Sequence, residues 1–518
     1  MKREIQEISY NRFLKFDKFF KGETRLAKKV FPFFMLYLAC VSSAEISSRD
    51  LITFLSRSQF FGYISQAFRK IDTLINKWGY EQIAACKSAI QQCKEPKFKG
   101  FLLRFSQAIS INAPMQEFAR VEYERFIFTY EEEYNRTMDK LKSLSDAYSS
   151  ILTSTAFISV SMLLAAITFG AGSIDILLIG TIVSVLSSLI SFIFLIYSSA
   201  PPEEIPNSLR GRPLVLKRLS SLFKPSTIAA FVIILFSTLM YFFGLLKVPS
   251  SMGIWKFLIP LPLSFMIAGI LLVFLGWKGS KVINNIKALE YNFPLFIKTL
   301  GKAAAITGSL SIGISRIIYN EYGKLNPLIK RVYHRLKLGI GMDYSLRVME
   351  AESGSELIKH ITEVFYESLS RGGKFSDVAY LCFNFANSWL ARRKRREQIF
   401  GYLKGLLIPL QITTVATLTL TQGIANLLIE FGKMIGEKVI NIANISPELI
   451  TLFFFGISIS LTLGNTLSLW LIKGDSKFTF QFYLGFFLLI NGVIIFAVGM
   501  VTESLLGGFV LLKRINLG

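Results

Sequence analysis

Residues 391–410 read ARRKRREQIFGYLKGLLIPL, five consecutive cations followed at once by a long apolar stretch. Arg392, Arg393, Lys394, Arg395 and Arg396 could form a nucleic-acid patch, or they could anchor the cytoplasmic end of a membrane helix. The choice depends on where the other cations lie. The chain has 518 residues, 52% of them hydrophobic, and a formal charge of +23; its mean hydropathy is +0.47. A soluble domain of this length rarely carries so much apolar mass, so the membrane class leads.

Seven stretches are apolar and long enough to cross about 30 Å of hydrocarbon as helices. They lie near 148–170, 174–198, 226–246, 253–276, 403–423, 449–472 and 481–507. Residues 1–147 hold 24 Lys and Arg, the loop at 201–226 holds five and 277–400 holds 20, whereas the intervening turns are nearly bare. Cytoplasmic segments carry such an excess. The pattern predicts a cytoplasmic amino terminus, an outside carboxyl terminus, and Arg392–Arg396 as an anchor snorkelling to anionic headgroups before the fifth span. The apolar stretch at 31–46 is too short for a span and ends at Glu45, so it is expected in a soluble bundle. The first thirty residues are charged throughout, unlike a cleavable signal peptide.

The two large cytoplasmic regions resemble each other. FPFFMLYLA (31–39) matches FPLFIKTLG (293–301), and AISINAPMQEFA (108–119) lies against SLSRGGKFSDVA (368–379), at offsets of 262 and 260. This predicts one unit used twice. Each copy divides into six helices. The breaks fall near 44–46, 58, 79, 93–96 and Ala113–Pro114 in the first, and at 307–308, 323, 339–341, 353–354 and Gly372–Gly373 in the second. The last helix of each copy is expected to run on into the bilayer.

Catalytic chemistry is hard to find. No Walker A, HExxH or GxSxG pattern occurs, and the four cysteines fit no zinc spacing and read as reduced core thiols. No cofactor is implied. The predicted spans bury no deep charge; Gln411, Asn465 and Asn491 are their main polar side chains and are expected to make interhelical hydrogen bonds.

The paired units, the stretch 98–144 and FPLFIKTLGKAAAITGSLSIGI (293–314) resemble the membrane platform proteins of type IV pilus-like machines, the type II secretion F-domain family. The two-copy layout is most similar to the archaeal branch that serves archaella and archaeal pili. The family's small-Gly-x-Pro/small-Leu turn appears here as Asn112-Ala113-Pro114-Met115 and Gly372-Gly373-Lys374-Phe375, with alanine replacing glycine in the first copy. The resemblance implies a non-enzymatic platform, a homodimer, that binds a hexameric secretion ATPase and receives pilin or archaellin subunits.

The expected fold is therefore an all-α polytopic membrane protein with about seven transmembrane helices and two cytoplasmic six-helix bundles related by the repeat. The tail and first bundle occupy 1–147, four spans with a basic loop at 200–225 occupy 148–276, the second bundle 277–402, and three spans 403–518. Arg371 and Lys374, beside the Gly372–Gly373 turn, are candidate ATPase-docking residues, because the second copy carries 20 basic against ten acidic residues between 277 and 400. A transporter or channel with a parallel repeat is the alternative. A nucleic-acid binder would need aromatics interleaved with the cations, and the run at 392–396 has none.

Overall fold

The computed structural model describes residues 30–58, 60–93, 95–169, 214–242, 261–435 and 447–516, with isolated positions between 182 and 193. Among these residues the chain is helical, with no β-strand. It divides into two compact units: residues 1–134, 206–211 and 286–392 form the first, and 135–205, 212–285 and 393–518 the second.

The first unit opens with α1 (Val30–Ser42), α2 (Ser48–Arg57), α3 (Tyr63–Asn76), α4 (Gln82–Gln92), α5 (Pro96–Ser110) and the start of α6 (Met115–Phe169). After α7 (Leu214–Phe242) come α8 (Leu261–Thr307), α9 (Leu310–Ile317), α10 (Asn326–Lys337), α11 (Met342–Ser353), α12 (Glu356–Ser370) and α13 (Phe375–Ile435). The breaks expected from glycine, proline and polar clusters coincide with the gaps between these helices. Local chemistry explains the starts. Ser47 caps α2 by accepting from the Asp50 amide at 3.2 Å, Glu95 caps α5 through the Phe98 amide at 2.9 Å with Pro96 in the first turn, and Ser355 caps α12 through the Ile358 amide at 3.1 Å.

The helix ends are more telling. Before α6 the Ala113 amide donates to the Ala108 carbonyl at 3.0 Å, with Asn112 left-handed at φ 49°. Before α13 the Gly373 amide donates to the Ser368 carbonyl at 3.0 Å, with Gly372 left-handed at φ 93°. Both are Schellman closures, and an asparagine tolerates the left-handed conformation that glycine adopts freely. The two turns stand 260 residues apart, the offset seen in the sequence.

α1 is buried on nearly every side, as expected of a central bundle helix and not of a span. Its Phe34 meets the rings of Phe61, Phe68, Phe98 and Phe101 at centroid distances of 5.7, 6.0, 6.1 and 5.4 Å. Its Phe33 turns the other way, to Phe385 and Trp389 of α13 at 5.2 and 5.3 Å. The two helix sets therefore share one apolar core. Burying each such ring contributes roughly 1.5–3 kcal/mol relative to exposure.

The second unit holds the ends of α6 and α13, the start of α8, and α7, α14 (Pro447–Lys473) and α15 (Lys477–Asn516). Among the described residues, five helices are long and apolar enough to cross a membrane, with spans in α7, α8, α13, α14 and α15. These correspond to five of the seven stretches expected. The stretch at 148–170 falls on the end of α6, and most of 174–198 lies outside the described residues, as do the tail 1–29, residues 200–213 of the basic loop and the turn at 436–446. α14 lies innermost: 67% of its span is buried, against 17% for α7.

Candidate functional site

The three polar residues singled out within the spans converge. Gln411 of α13 donates to Asn491 Oδ1 of α15 at 2.9 Å and to Thr462 Oγ1 of α14 at 3.2 Å. Its own carbonyl oxygen accepts from Asn465 Nδ2 at 2.6 Å. Asn491 donates to Ser458 and Thr462 at 3.0 and 2.7 Å, and Tyr148 of α6 donates to Asn465 Oδ1 at 2.8 Å. All six groups are buried. Four helices are thus tied by one network whose amides meet each other, which fixes helix register and makes each member costly to remove. Tyr148, Ser458 and Thr462 were not anticipated. The available signal was the buried spacing Met138, Leu141, Ser145, Tyr148, Leu152 on α6, a three-and-four repeat in which the tyrosine takes a core position.

Beside the network α8 and α15 approach closely. A side chain at Gly269 would strike the Gly485 carbonyl at 2.8 Å, and one at Gly492 would strike the Pro262 carbonyl at 2.8 Å. Only hydrogen fits these positions, as is common where helices pack in lipid.

The basic run has no single face. Arg392 is buried, its guanidinium 4.8 Å from the Tyr130 ring and 5.3 Å from Trp389, with Glu131 at 3.5 Å. Arg395 binds Asn135 at 2.6 Å and Asp139 at 2.8 Å on α6. Arg396 donates to the Ile472 and Leu471 carbonyls at 2.6 and 3.0 Å. A cation there meets the unsatisfied, partly negative end of α14. Arg393 is buried too, and Lys394 alone is exposed. The sequence suggested an anchor at the headgroups; within the fold Arg392, Arg395 and Arg396 of the run also meet protein partners.

Arg371 and Lys374 are also engaged. Lys374 pairs with Glu45, in the α1–α2 turn, at 2.6 Å, which lowers the Glu45 pKa and raises its own. The Lys374 amide donates to Ser43 Oγ at 3.3 Å. Arg371 lies over the Phe54 ring at 5.0 Å and beside Glu367 at 3.9 Å. Both residues therefore join the two helix sets. Ala113 and Pro114 form the equivalent turn before α6.

His360 of α12, not singled out in the sequence, lies 4.6 Å from the Phe33 ring, with Nε2 3.1 Å from Glu356 and Nδ1 3.2 Å from Glu363. Burial pulls its pKa down, but the two carboxylates outweigh burial and hold it above the ordinary histidine value. The four cysteines are buried free thiols. No cluster able to hold a metal occurs among the described residues.

These features define a multi-pass helical membrane protein whose second unit is organised by a buried polar network. The chain is similar along most of its length to flagella accessory protein J of Methanocaldococcus jannaschii, 24% identical over 497 residues that cover 92% of this chain and 84% of the relative. It is also similar to flagella accessory protein J of Methanococcus voltae, 21% identical over 398 residues, 75% of this chain and 68% of the relative. The resemblance to FlaJ-like archaeal platform proteins is thereby borne out. No family model and no solved structure matches the chain.

Proposed function

We propose that this chain is the non-enzymatic membrane platform of an archaellum or archaeal pilus assembly machine, coupling a hexameric secretion ATPase to the insertion of archaellin or pilin subunits. The observation that carries this reading is the pair α6 and α13. Each begins in the same kind of left-handed turn, each starts among charged residues, and each continues unbroken into apolar sequence. Such helices can carry movement of a bundle into a membrane. The names of the two relatives support the same reading. The transporter alternative loses ground because the buried amides spend their hydrogen bonds on one another.

In this reading the two helix sets are copies of one F-type unit, the spans number seven, the amino terminus is cytoplasmic, and the platform works as a homodimer. Left-handed residues at 45, 62, 79 and 112 are matched by 308, 323, 339 and 372, with Gly354 left-handed in the second set alone, and support the duplication. Orientation can be read by placing single cysteines at Ser208 and Gly436 in a cysteine-free chain. An impermeant thiol reagent on intact cells should label the second and spare the first; the reverse labelling would overturn the topology.

The function is tested by deleting the gene and by co-purifying the cognate secretion ATPase with the full chain. Loss of filaments together with ATPase retention on the chain is the expected result, and normal filaments in the deletion strain would overturn the reading. Arg371 and Lys374 are proposed to contribute to docking at the bundle end they occupy. The exchange Glu45→Lys with Lys374→Glu restores their internal pair. If that exchange also restores ATPase retention lost in Lys374→Glu alone, Lys374 acts only by joining the helix sets.

A further inference from the structure

Two loop tips in the first unit present large apolar side chains to solvent in the same frame. Between α3 and α4 the chain reads Lys77-Trp78-Gly79-Tyr80, and from the last residue of α10 onward it reads Lys337-Leu338-Gly339-Ile340. Trp78 is 70% exposed and Leu338 79% exposed. Gly79 and Gly339 are left-handed, at φ 69° and 78°. A lone exposed hydrophobe needs no explanation. The recurrence does: at an offset of 260 the left-handed glycine, the lysine two residues before it and the displayed apolar group are all kept, although the apolar residue itself differs.

Both tips are held in place. The Tyr80 amide donates to the Leu74 carbonyl at 3.0 Å, and the Ile340 amide to the Arg335 carbonyl at 3.1 Å. Preset tips lose little freedom on binding, which favours affinity. They also share one end of the bundle. α5 runs antiparallel to α6, since Arg104 pairs with Glu122 and Lys97 with Glu133. Ser48 at the start of α2 donates to Gln82 at the start of α4 at 2.8 Å, which sets the α3–α4 turn beside the α1–α2 turn. Glu350 lies near Glu363 and Asp343 near Tyr366, so α12 runs back along α11 and the α10–α11 and α12–α13 turns lie together. Lys374 ties the last of these to the α1–α2 turn through Glu45.

An anionic bilayer is a poor fit. The charge around the tips is mixed: Lys77 and exposed Glu81 flank Trp78 and Tyr80, while Lys337 and Asp343, itself paired with Arg347 at 3.1 Å, flank Leu338 and Ile340. No uniformly basic rim faces phosphate headgroups. A protein surface suits a mixed-charge rim around an apolar anchor. Two equivalent anchors on one chain call for two equivalent sockets, which neighbouring subunits of a symmetric ring supply.

We propose that Trp78 and Leu338 are paired anchors that dock one chain onto two neighbouring subunits of a ring-shaped protein partner. The proposal rests on the reading that this partner is the hexameric secretion ATPase, and adds the contact and its two-point character. Engaging a second site after the first raises avidity about 10²–10⁴-fold without new kinds of contact.

The test measures binding of the purified cognate ATPase hexamer to the detergent-solubilised full chain, wild type and with Trp78→Ser, Leu338→Ser, or both. Each single change should weaken binding by at least about tenfold, and the double change should reduce it to background, with thermal unfolding unaltered in all. If the wild type does not bind, the coupling reading itself fails. If it binds and the double variant binds equally well, only this contact fails. Weakening by one tip alone overturns the pairing. A lowered melting temperature in either single variant would make the tips part of the core. Binding of wild type to anionic vesicles that the double variant loses would make them membrane anchors. Either of those two results overturns the proposal.

Discussion

The two units are held together by opposite means. In the first, the interior is apolar and aromatic: Phe34 sits among five other phenylalanines, and Phe33 joins the two helix sets. In the second, large apolar side chains such as Ile228, Phe231 and Phe236 of α7 are exposed, while glutamine, asparagine, serine, threonine and tyrosine meet inside. The surrounding medium explains the reversal. Water drives apolar surface inward. Hydrocarbon offers no such drive, so helices within it associate through close packing and hydrogen bonds.

That contrast can be broken at its strongest point by Phe34→Ala. It should cost about 3–5 kcal/mol in equilibrium unfolding of the solubilised protein; a cost near that of a surface change would mean the aromatic cluster is not what holds the first unit. Next comes Arg396→Ala, which strips the end of α14 of a charge-assisted bond worth about 1.5–3 kcal/mol. Lys394→Ala, two residues away and exposed, should stay within about 0.5 kcal/mol. Equal effects in a melting series would show that the run acts by charge alone. Gln411→Leu should cost less, about 0.6–1.7 kcal/mol, the range for hydrogen bonds inside membrane bundles; a stabilised variant would remove the network from the account.

The smallest effect sharpens the comparison through pH. The pKa of His360 is raised in the fold, so its contribution is fully present below the ordinary value of about 6.5 and is lost as pH rises through the folded value. Glu356, Glu363 and, through Glu363, Lys359 are the charged groups around it. Melting temperature of the wild type should therefore fall more between pH 6 and pH 8.5 than that of His360→Gln. Parallel curves would show that the imidazolium contributes nothing.

Much of the helical layout was readable in the sequence because helix ends depend on local chemistry. Gly79, Gly308, Gly339 and Gly372 occupy left-handed positions that few other residues tolerate, and each marks a break. The span residues Gln411, Asn465 and Asn491 were readable for another reason: a polar amide in an apolar helix needs a partner. What that partner is was not readable. Tyr148 meets Asn465 across 317 residues, and Lys374 meets Glu45 across 329. The partners of the basic run were unreadable for the same reason. Five adjacent cations look like one patch, but a helix turns each about 100° from the last, and only the folded neighbours decide that Arg396 caps α14 while Arg392 lies between aromatic rings.

The long helices α6 and α13 begin alike but differ in stiffness. α6 contains neither glycine nor proline from Met115 to Phe169. α13 carries Gly401, Gly405 and Pro409 at four-residue intervals along one side. Pro409 has no amide to offer the Gly405 carbonyl, so a rung of the hydrogen-bond ladder is missing there. Both helices are continuous, but only α13 has a proline-made gap in its hydrogen-bond ladder. A load applied equally to both would flex α13 first, just before Gln411, so a symmetric push at the helix starts would arrive as a bend with a definite direction.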